Sequence, residues 1–412
     1  MRILFGHQHL GASGGAEQNI LLTASELSQR GHTIGLLYAL DTRKDSELWQ
    51  KTFHRVFKLP AKGNYEHVEA VMEEFKPDLV YLHNVEDHAV LEALLKRGLP
   101  VIRMVHDHSL YCLRSYKYNY FTRRICTRAA SGHCVFPCLA TVTRNRQGSV
   151  PVKWQSLAEK QREISLNRQF NWMVVYSDYS RGELINNGFD PDRIHVHVPI
   201  RCWGTNGRLA NFSNRNRLLF AGQLVRGKGV DVLLKALKKV TAPFECVILG
   251  EGSHRTHCER LARKLGLDDR VRFEGYVPPQ EMETFYLEAS VFVMSSVWPE
   301  PFGMAGPEAM RYGLPVVAFD AGAIGEWLKD GDNGFMVPWM DTTAFAARID
   351  ALLGNKELAR RLGHNGLIRV NRQYAAPRQV DGLERLFQSA ISKSDVNRNE
   401  STPLNVVHGH LG

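Results

Sequence analysis

No run of eighteen apolar residues occurs in this 412-residue chain, and an apolar strand candidate begins directly after Met1. These features predict neither a transmembrane helix nor a signal peptide, so we expect a cytoplasmic protein. Internal repeats, low-complexity tracts and coiled-coil heptads are also missing, which excludes solenoid and fibrous architectures. The composition is that of a soluble globular protein, and the length predicts two domains with cores of their own.

Paired Cys-x-x-Cys motifs are lacking, although the chain has seven cysteines. Four of them lie in one segment: Cys112, Cys126, Cys134 and Cys138. A disulfide is not expected to persist in the cytoplasm. Thiolates at uneven spacings can close a tetrahedral zinc site, but strong zinc signatures carry the paired motif. Buried free thiols are therefore the favoured interpretation, with structural zinc as the alternative.

Acidic residues are scarce around these cysteines. Residues 101–150 contain eight Arg or Lys and one acid, Asp107, while the whole chain carries a formal charge of +9. Tyr and Phe are mixed with the cations of this segment, which include Arg114, Lys117, Arg123 and Arg124. Such a surface can lie on an anionic bilayer, with rings at the interface and cations toward phosphate headgroups. The alternative is an ordinary solvated insertion. Nucleic-acid binding is disfavoured because no recognised binding motif appears.

Apolar strand candidates alternate with helical patterns in both halves of the chain. The first half has strand candidates at 2–6, 33–38, 79–82, 101–105 and 173–176, with helices at 16–29 and 67–75. The second half has strand candidates at 217–220, 245–249, 271–274, 291–294 and 316–319. This alternation predicts an α/β fold of two doubly wound parallel sheets. We expect domains at 1–200 and 217–373, with an insertion at 108–150, a linker at 201–216, a C-terminal helix at 374–392 and a disordered tail at 393–412.

The segment WPEPFGMAGPEAMRYGLPVVAFDAG, residues 298–322, carries two acids on either side of a predicted turn. Gly303 and Met304 should form that turn and open a helix at 307–312. A helix N-terminus exposes unpaired N–H groups and a partial positive charge, which stabilise a diphosphate. Glu308 could accept hydrogen bonds from ribose hydroxyls, and Glu300 from sugar hydroxyls. The alternative is a helix start whose acids only favour the dipole.

Two further loops follow predicted strands, where ligands of open parallel sheets bind. Gly14 and Gly15 follow the first strand, and their backbone can approach a phosphate at the next helix. His106 and His108 follow the fourth strand on either side of Asp107, which could orient the imidazole of His106. A simple glycine turn and a hydrogen-bonded structural histidine are the alternatives.

The motifs together resemble the retaining family 4 glycosyltransferases, also called glycosyl transferases group 1. The resemblance extends over about residues 1–390. In the second half it is carried by three segments, LFAGQLVRGKGVDVLLKAL at 219–237, ILGEGSHR at 248–255 and FEGYVPPQEM at 273–282, and by single residues of the segment 298–322, namely Glu300, Glu308, Ala309, Met310, Gly313, Pro315, Val316 and Val317. In the first half it is carried by Gly14, Gly15, Ala16 and Glu17. It implies the GT-B fold, in which two Rossmann-like doubly wound parallel-sheet domains face a central cleft. It also implies that the C-terminal helix returns to the first domain.

The resemblance implies specific roles for residues of this chain. His106, Glu300 and Lys228 would form the reaction centre, with Lys228 as a point charge on the diphosphate. The donor would contact Gly14, Gly15, Gln223, Arg226, Lys228, Gly303, Met304 and Glu308. One departure is Gln223, because relatives commonly place arginine there and an amide brings no charge. Arg226 could reach the same phosphate or could be a solvated loop residue.

The implied reaction is transfer of a sugar from a nucleotide-diphosphate sugar to a hydroxyl acceptor, with retention of configuration and without a cofactor or divalent metal. We expect a glycan or lipid-linked acceptor, in assembly of a surface polysaccharide, with the enzyme peripheral on the cytoplasmic face of a membrane. The alternatives are a non-catalytic GT-B adaptor and another GT-B enzyme such as a sugar-nucleotide epimerase. Retention of Glu300, Glu308, Lys228 and His106 together argues against the adaptor.

Overall fold

The chain forms two parallel β-sheets covered by helices. The computed structural model describes residues 1–11, 14–43, 45–60, 65–144, 152–199, 207–212 and 216–400. In the N-terminal domain the strands are β1 Arg2–Leu10, β2 Thr33–Asp41, β3 Arg55–Lys58, β4 Leu79–Leu82, β5 Val101–Val105, β6 Val142–Arg144, β7 Val152–Trp154, β8 Trp172–Val175 and β9 Ile194–Val196. Its helices are α1 Gly15–Gln29, α2 Ser46–Thr52, α3 Tyr65–Phe75, α4 His88–Lys96, α5 Leu157–Asn167 and α6 Asp178–Asn186.

The C-terminal domain repeats the same plan. Its strands are β10 Arg217–Ala221, β11 Glu245–Leu249, β12 Val271–Gly275, β13 Val291–Met294, β14 Val316–Phe319 and β15 Gly334–Val337. Its helices are α7 Val230–Leu237, α8 Arg255–Lys264, α9 Met282–Glu288, α10 Ala305–Arg311, α11 Ile324–Trp327, α12 Thr342–Gly354 and α13 Lys356–Gln373, and α14 Ala376–Glu400 follows them. Strands β4, β13 and β14 are buried along their whole length, as expected for parallel strands covered on both faces.

The strand order fixes where a ligand can bind. The N-terminal sheet runs β3-β2-β1-β4-β5-β8-β9 and the C-terminal sheet β12-β11-β10-β13-β14-β15, while β6 and β7 form a separate hairpin. In each sheet the chain reverses its direction of winding beside the first strand, since β1 pairs with β2 and β4, and β10 with β11 and β13. Ligands of such sheets bind beyond the carboxyl ends of strands at this point.

The predicted strands are present, and five of them keep their predicted bounds, at 79–82, 101–105, 245–249, 291–294 and 316–319. Five strands were not predicted: β6 and β7 of the separate hairpin, and three strands of the two large sheets, β3, β9 and β15. All three lie at an edge of a sheet. Edge strands are short and less apolar, so their sequence signal is weak.

The C-terminal helix is longer than predicted. It begins at Ala376 and continues to Glu400, so the disordered tail predicted from residue 393 is wrong for 393–400, and 401–412 lie outside the described residues. Its Phe387 packs with its ring 5.1 Å from that of Tyr81 of the N-terminal sheet. Arg30 pairs with both Asp381 and Glu384. These contacts attach the helix to the N-terminal domain.

Part of the predicted linker packs on the C-terminal domain. The backbone N–H groups of Ala210 and Asn211 donate to the carbonyls of Tyr312 and Leu287. The remaining linker residues 201–206 and 213–215 lie outside the described part of the chain, as do 145–150 of the predicted insertion. Among the described residues, no helix is both long and apolar enough to cross a bilayer.

Candidate active site

The turn after β10 brings Lys228 to the loop after β13. Residues Arg226–Lys228 form one 3-10 turn, and Gly229 follows with a φ of 67°. A Cβ on Gly229 would lie 2.0 Å from the carbonyl oxygen of Ser295, so only glycine permits this close approach. The approach places Lys228 Nζ 2.6 Å from Glu300 Oε1. Two residues that are 72 positions apart in the sequence are thus joined.

The carboxylate of Glu300 is buried and accepts three hydrogen bonds on one oxygen. Besides Lys228 Nζ, the donors are the indole Nε1 of Trp298 at 2.8 Å and the hydroxyl of Ser296. Burial alone would raise the pKa of Glu300, but Lys228 and the two hydrogen bonds outweigh it and lower the pKa below its ordinary value. Glu300 is therefore an anion at neutral pH, held by a cation in the absence of a ligand.

Glu308 lies on the first turn of α10. The helix begins at Ala305, two residues before the predicted start. Gly303 precedes it with a φ of 81°, and a Cβ there would lie 2.8 Å from side-chain atoms of Met294 and Ile324. Glu308 is 9% exposed. It lines a narrow recess together with Pro199, Phe302, Met304, Pro307, Arg311 and Tyr374.

Gln223 and Arg226 are placed differently from each other. Gln223 is exposed. Arg226 instead contacts the insertion, because its Nη1 donates to the carbonyl of Tyr120 at 2.7 Å and its Cζ lies 4.6 Å from that ring's centroid. Arg226 thus lies half-buried against the insertion, and its contact with a phosphate stays a prediction.

The glycine pair after β1 makes room for two side chains. Gly14 has an extended backbone, with φ of −148°, which any residue can adopt. A Cβ on Gly14 would lie 2.5 Å from Glu17 Oε2, and one on Gly15 would lie 2.4 Å from Met304 Cε across the cleft. The glycines thus leave room for the ends of the Glu17 and Met304 side chains, in addition to any approach of a phosphate.

A buried polar layer lies at the carboxyl ends of four adjacent strands. Strand β1 contributes His7, and His83, His106 and Tyr176 directly follow β4, β5 and β8. His83 Nδ1 lies 2.8 Å from His106 Nε2, and His106 Nδ1 lies 2.6 Å from the hydroxyl of Tyr176. That hydroxyl donates to Asn19 at 3.0 Å. Of this layer, only His106 was predicted from the sequence, as a histidine that follows a strand.

The direction of these hydrogen bonds sets the histidine tautomers. Because Tyr176 donates to Asn19, its oxygen accepts from His106 Nδ1–H, and His106 Nε2 then accepts from His83 Nδ1–H. Burial, the largest cause, lowers the pKa of His106 to about 3, so the ring is neutral. His106 is 5% exposed and both its nitrogens are used. It therefore supports the layer, and a direct contact between His106 and a sugar stays a prediction.

His108, treated above as the neighbour of His106, is the histidine that crosses the cleft. Its Nε2 donates to the carbonyl of Pro299 at 2.8 Å, and its Nδ1 accepts from Tyr111 at 2.7 Å. Ser177 donates to the carbonyl of Pro301 at 2.5 Å. The two carbonyls that flank Glu300 are thus held by the N-terminal domain. Sequence reasoning missed both contacts, since carbonyl acceptors leave no signature in side-chain type.

Two cations of the insertion are buried in ion pairs. Lys117 Nζ lies 2.9 Å from Glu183, and Arg123 Nη2 lies 2.8 Å from Asp231 of α7. The prediction that Lys117 and Arg123 face a membrane or acceptor is therefore wrong, because their charges are already neutralised inside the protein. Arg124 is exposed. Arg114 is half-buried, and its Nη2 donates to the carbonyl of Leu139 at 2.7 Å.

Metal binding gains little support from the described residues. The cysteines Cys112, Cys126, Cys134 and Cys138 are half-buried free thiols. Within the described ranges, the one group whose three ligand atoms all lie within 4.8 Å of one another is Asp231, His254 and His257. Both carboxylate oxygens of Asp231 already accept from Arg123, at 3.2 and 2.8 Å. The guanidinium of Arg123 therefore occupies the position beside Asp231 that a metal ion would need.

Both domains match known protein families. Residues 13–197 match the family described as Glycosyltransferase Family 4, and residues 206–369 match Glycosyl transferases group 1. Spore coat protein SA of Bacillus subtilis is 27% identical over 254 residues, which cover 55% of this chain and 65% of that protein. The lipopolysaccharide core biosynthesis glycosyltransferase LpsE of Rhizobium meliloti is 31% identical over 168 residues, 41% of this chain and 48% of that protein. The match thus spans less than two thirds of either relative.

Solved structures share the architecture over nearly the whole chain. Anabaena Alr3699/HepE, in complex with UDP and glucose, superposes with a TM-score of 0.73 at 18% identity and covers 94% of this chain and 100% of that one. WaaG, a glycosyltransferase involved in lipopolysaccharide biosynthesis, superposes with a TM-score of 0.63 at 16% identity and covers 92% of this chain and 98% of that one. The fold expected from the sequence is confirmed. The two domains thus match two glycosyltransferase families, and the two-sheet architecture is that of the GT-B fold.

Proposed function

We propose that the protein transfers a sugar from a nucleotide-diphosphate sugar to a hydroxyl acceptor, with retention of configuration. The observation that carries the proposal is the pairing of Lys228 with Glu300 at the carboxyl end of the C-terminal sheet. A half-buried cation and a buried carboxylate that neutralise each other can exchange their pairing for contacts with a diphosphate and with sugar hydroxyls. Glu308 on the adjacent helix supplies a second acceptor for hydroxyl groups.

Each of these residues has a distinct proposed role. Lys228 stabilises the negative charge that grows on the diphosphate as its bond to the sugar breaks, and it thereby lowers the barrier to that step. Glu300 orients the sugar through its hydroxyls, and Glu308 binds the ribose. The HepE structures contain UDP, UDP with glucose, or UDP-glucose, which supports a nucleotide sugar as the donor. Lys228 makes a divalent metal unnecessary in this scheme.

The proposed acceptor is a glycan or a lipid-linked saccharide used in assembly of a surface polysaccharide. The LpsE and WaaG relatives, whose names refer to lipopolysaccharide biosynthesis, support this class. The exposed apolar side chains of the insertion, Tyr120, Phe121, Val135, Phe136 and Leu139, support a peripheral position on the cytoplasmic face of a membrane.

Thermal unfolding with a panel of UDP, GDP, ADP, CMP and their sugars tests the donor. A ligand that binds only the folded state raises the unfolding temperature. We expect one nucleotide to raise it, with and without EDTA. The acceptor product of that donor, examined by proton NMR, should keep the anomeric configuration of the donor sugar. No shift at millimolar concentrations would favour the adaptor, and conversion of the donor sugar to its epimer would favour the epimerase.

A further inference from the structure

The amino end of α1 already carries a carboxylate. Glu17 is the third residue of the helix, and Gly14 caps it without a side-chain hydrogen bond. Burial alone would raise the pKa of Glu17, but His7 and the backbone N–H of Glu17 itself outweigh burial and lower it. The carboxylate is folded back over the first turn, close to Gly14. It therefore lies where the helix presents unpaired N–H groups and positive charge.

A buried histidine beside this carboxylate has unused hydrogen-bonding capacity. His7 is 1% exposed, and neither of its ring nitrogens has a hydrogen-bond partner among the described residues. Its Nε2 lies 3.6 Å from Glu17 Oε1, which is within the range of an ion pair but longer than a hydrogen bond. A small shift of the carboxylate toward His7 would satisfy a buried polar atom that is otherwise left without a partner.

We propose that Glu17 occupies the anion subsite at the amino end of α1 when the donor is absent, and that the donor diphosphate displaces its carboxylate toward His7. The proposal rests on the donor class proposed above. Carboxylate and diphosphate compete for the same N–H groups, and their like charges repel each other. Glu17 thus lowers the affinity for the donor, and His7 offsets part of that effect by donating a hydrogen bond to the displaced carboxylate.

Titration calorimetry with three probes tests the competition: UDP, pyrophosphate and uridine. The Glu17→Gln variant keeps the size of the side chain and removes its charge. We expect it to bind UDP and pyrophosphate about fivefold more tightly than the wild type, since one charge at a helix end contributes about 1 kcal/mol. Binding of uridine, which carries no phosphate, should not change.

The matched control is Glu26→Gln, nine residues later in the same helix. It makes the same change in net charge, but far from the amino end of α1. It should leave all three affinities unchanged. Equal or weaker binding of UDP and pyrophosphate by Glu17→Gln would overturn the proposal. A gain of the same size in Glu26→Gln would also overturn it, because the effect would then come from net charge alone.

A double-mutant cycle tests the role of His7. The His7→Asn variant should weaken binding of UDP when Glu17 is present and should have no effect in the Glu17→Gln background. A histidine with only a structural role would change the affinity equally in both backgrounds, which would remove His7 from the proposal.

Pyrophosphate separates this proposal from the proposed function. If no nucleotide binds but pyrophosphate binds more tightly to Glu17→Gln, the donor proposal fails and the anion subsite stands. If nucleotides bind equally to both proteins, the donor proposal stands and the role of Glu17 fails. If neither probe binds to either protein, both proposals are wrong.

Discussion

Lys228 is bound to Glu300, and Arg226 is bound to the carbonyl of Tyr120. The groups that would hold an incoming diphosphate therefore start from protein partners and not from water. The affinity for a donor is then the difference between new and old partners, which favours ligands that satisfy both the cation and the carboxylate at once. A bare phosphate could replace Glu300 beside Lys228, but it would leave the carboxylate of Glu300 buried without its cation.

Lys228→Ala should nearly abolish turnover. The variant removes the charge that stabilises the leaving diphosphate, and a loss of about 10²- to 10³-fold is typical for one group of this kind. Glu300→Gln should give a similar loss, because the amide cannot replace the anion that pairs with Lys228. Release of the nucleotide from the donor identified by the panel measures both.

Lys235→Ala is the matched control for this prediction, because Lys235 is an exposed lysine on α7. It should turn over like the wild type. Near wild-type turnover in both Lys228→Ala and Glu300→Gln would show that the site is assigned to the wrong residues.

His106 should make stability depend on pH below neutrality. Its folded pKa is about 3, below the ordinary value of 6.5, because the ring is buried. The unfolded chain therefore binds more protons than the folded chain between these two values, so stability is complete above about pH 6.5 and is lost progressively as the pH falls. His106→Asn should reduce the slope of unfolding free energy against pH by about one proton in this window.

Urea unfolding between pH 7.5 and 4.5 measures that slope. His364→Asn, at an exposed position on α13, serves as the control and should leave the slope unchanged. An unchanged slope in His106→Asn would mean that His106 is protonated equally in the folded and unfolded chains, in contradiction to its burial.

At the scale of elements, the ion pair of Arg123 with Asp231 attaches the insertion to α7. Replacing it with leucine would leave the carboxylate of Asp231 buried without its closest cation. We expect Arg123→Leu to lower the free energy of unfolding by about 3–5 kcal/mol, the usual effect of breaking a buried ion pair. Trypsin should also cleave the insertion faster, at Arg124 and Arg128, once the insertion is released from α7.

The neighbouring Arg124→Leu is the control, because Arg124 is exposed and forms no ion pair with any residue in the described part of the chain. Its effect should stay within about 0.5 kcal/mol. Equal effects in the two variants, measured by urea unfolding, would mean that the contact between Arg123 and Asp231 does not hold the insertion.

The sequence predicted the central strands well because their signal is local. Strands β4, β13 and β14 are continuous apolar runs, and such runs can be buried only inside a covered sheet. The edge strand β3 is largely exposed and carries no comparable run. The start of α10 was misplaced because Ala305 and Gly306 extend the helix before Pro307, which was taken as its first residue.

The site could be predicted in part for the same reason. Glu300, Glu308 and Lys228 lie in short motifs, so their residue types and spacing are readable. The partners of Lys117 and Arg123 are Glu183 and Asp231, which lie far away in the sequence. A single sequence does not reveal such distant pairs. Lys117 and Arg123 were therefore predicted to lie on an exposed surface, although both are buried in ion pairs.

At the scale of the whole molecule, exposed aromatic side chains lie in the insertion and directly after it. The ring of Phe121 lies 5.6 Å from that of Tyr120, and Arg114 lies 5.7 Å from the Tyr120 ring. Arg114 also contacts the carbonyls of Leu139 and Val142, and Val142 pairs with Trp154. Phe121 and Trp154 are 63% and 75% exposed. We call Arg114, Tyr120, Phe121, Leu139 and Trp154, which these contacts connect, the insertion patch.

The double variant Phe121→Ser/Trp154→Ser should lose binding to anionic vesicles. Both side chains can insert into a bilayer interface while Arg114 and Arg124 remain near the phosphate headgroups. We expect the wild type to cosediment with vesicles of mixed neutral and anionic phospholipid at low salt, and the bound fraction to fall as salt screens the cations. The variant should remain in the supernatant, because the apolar part of the interaction is removed.

Leu48→Ser/Ile368→Ser is the matched control, since both residues are more than half exposed but lie on α2 and α13. This variant should sediment like the wild type, and all three proteins should unfold at similar temperatures, because no buried contact is removed. Failure of the wild type to bind vesicles even at low salt would reject the membrane surface. Equal loss in both double variants would show that binding depends on general apolar exposure and not on the insertion patch. Only a loss confined to Phe121→Ser/Trp154→Ser assigns membrane contact to the insertion patch, which adjoins the contacts of the insertion with Asp231 and Arg226 of the C-terminal domain.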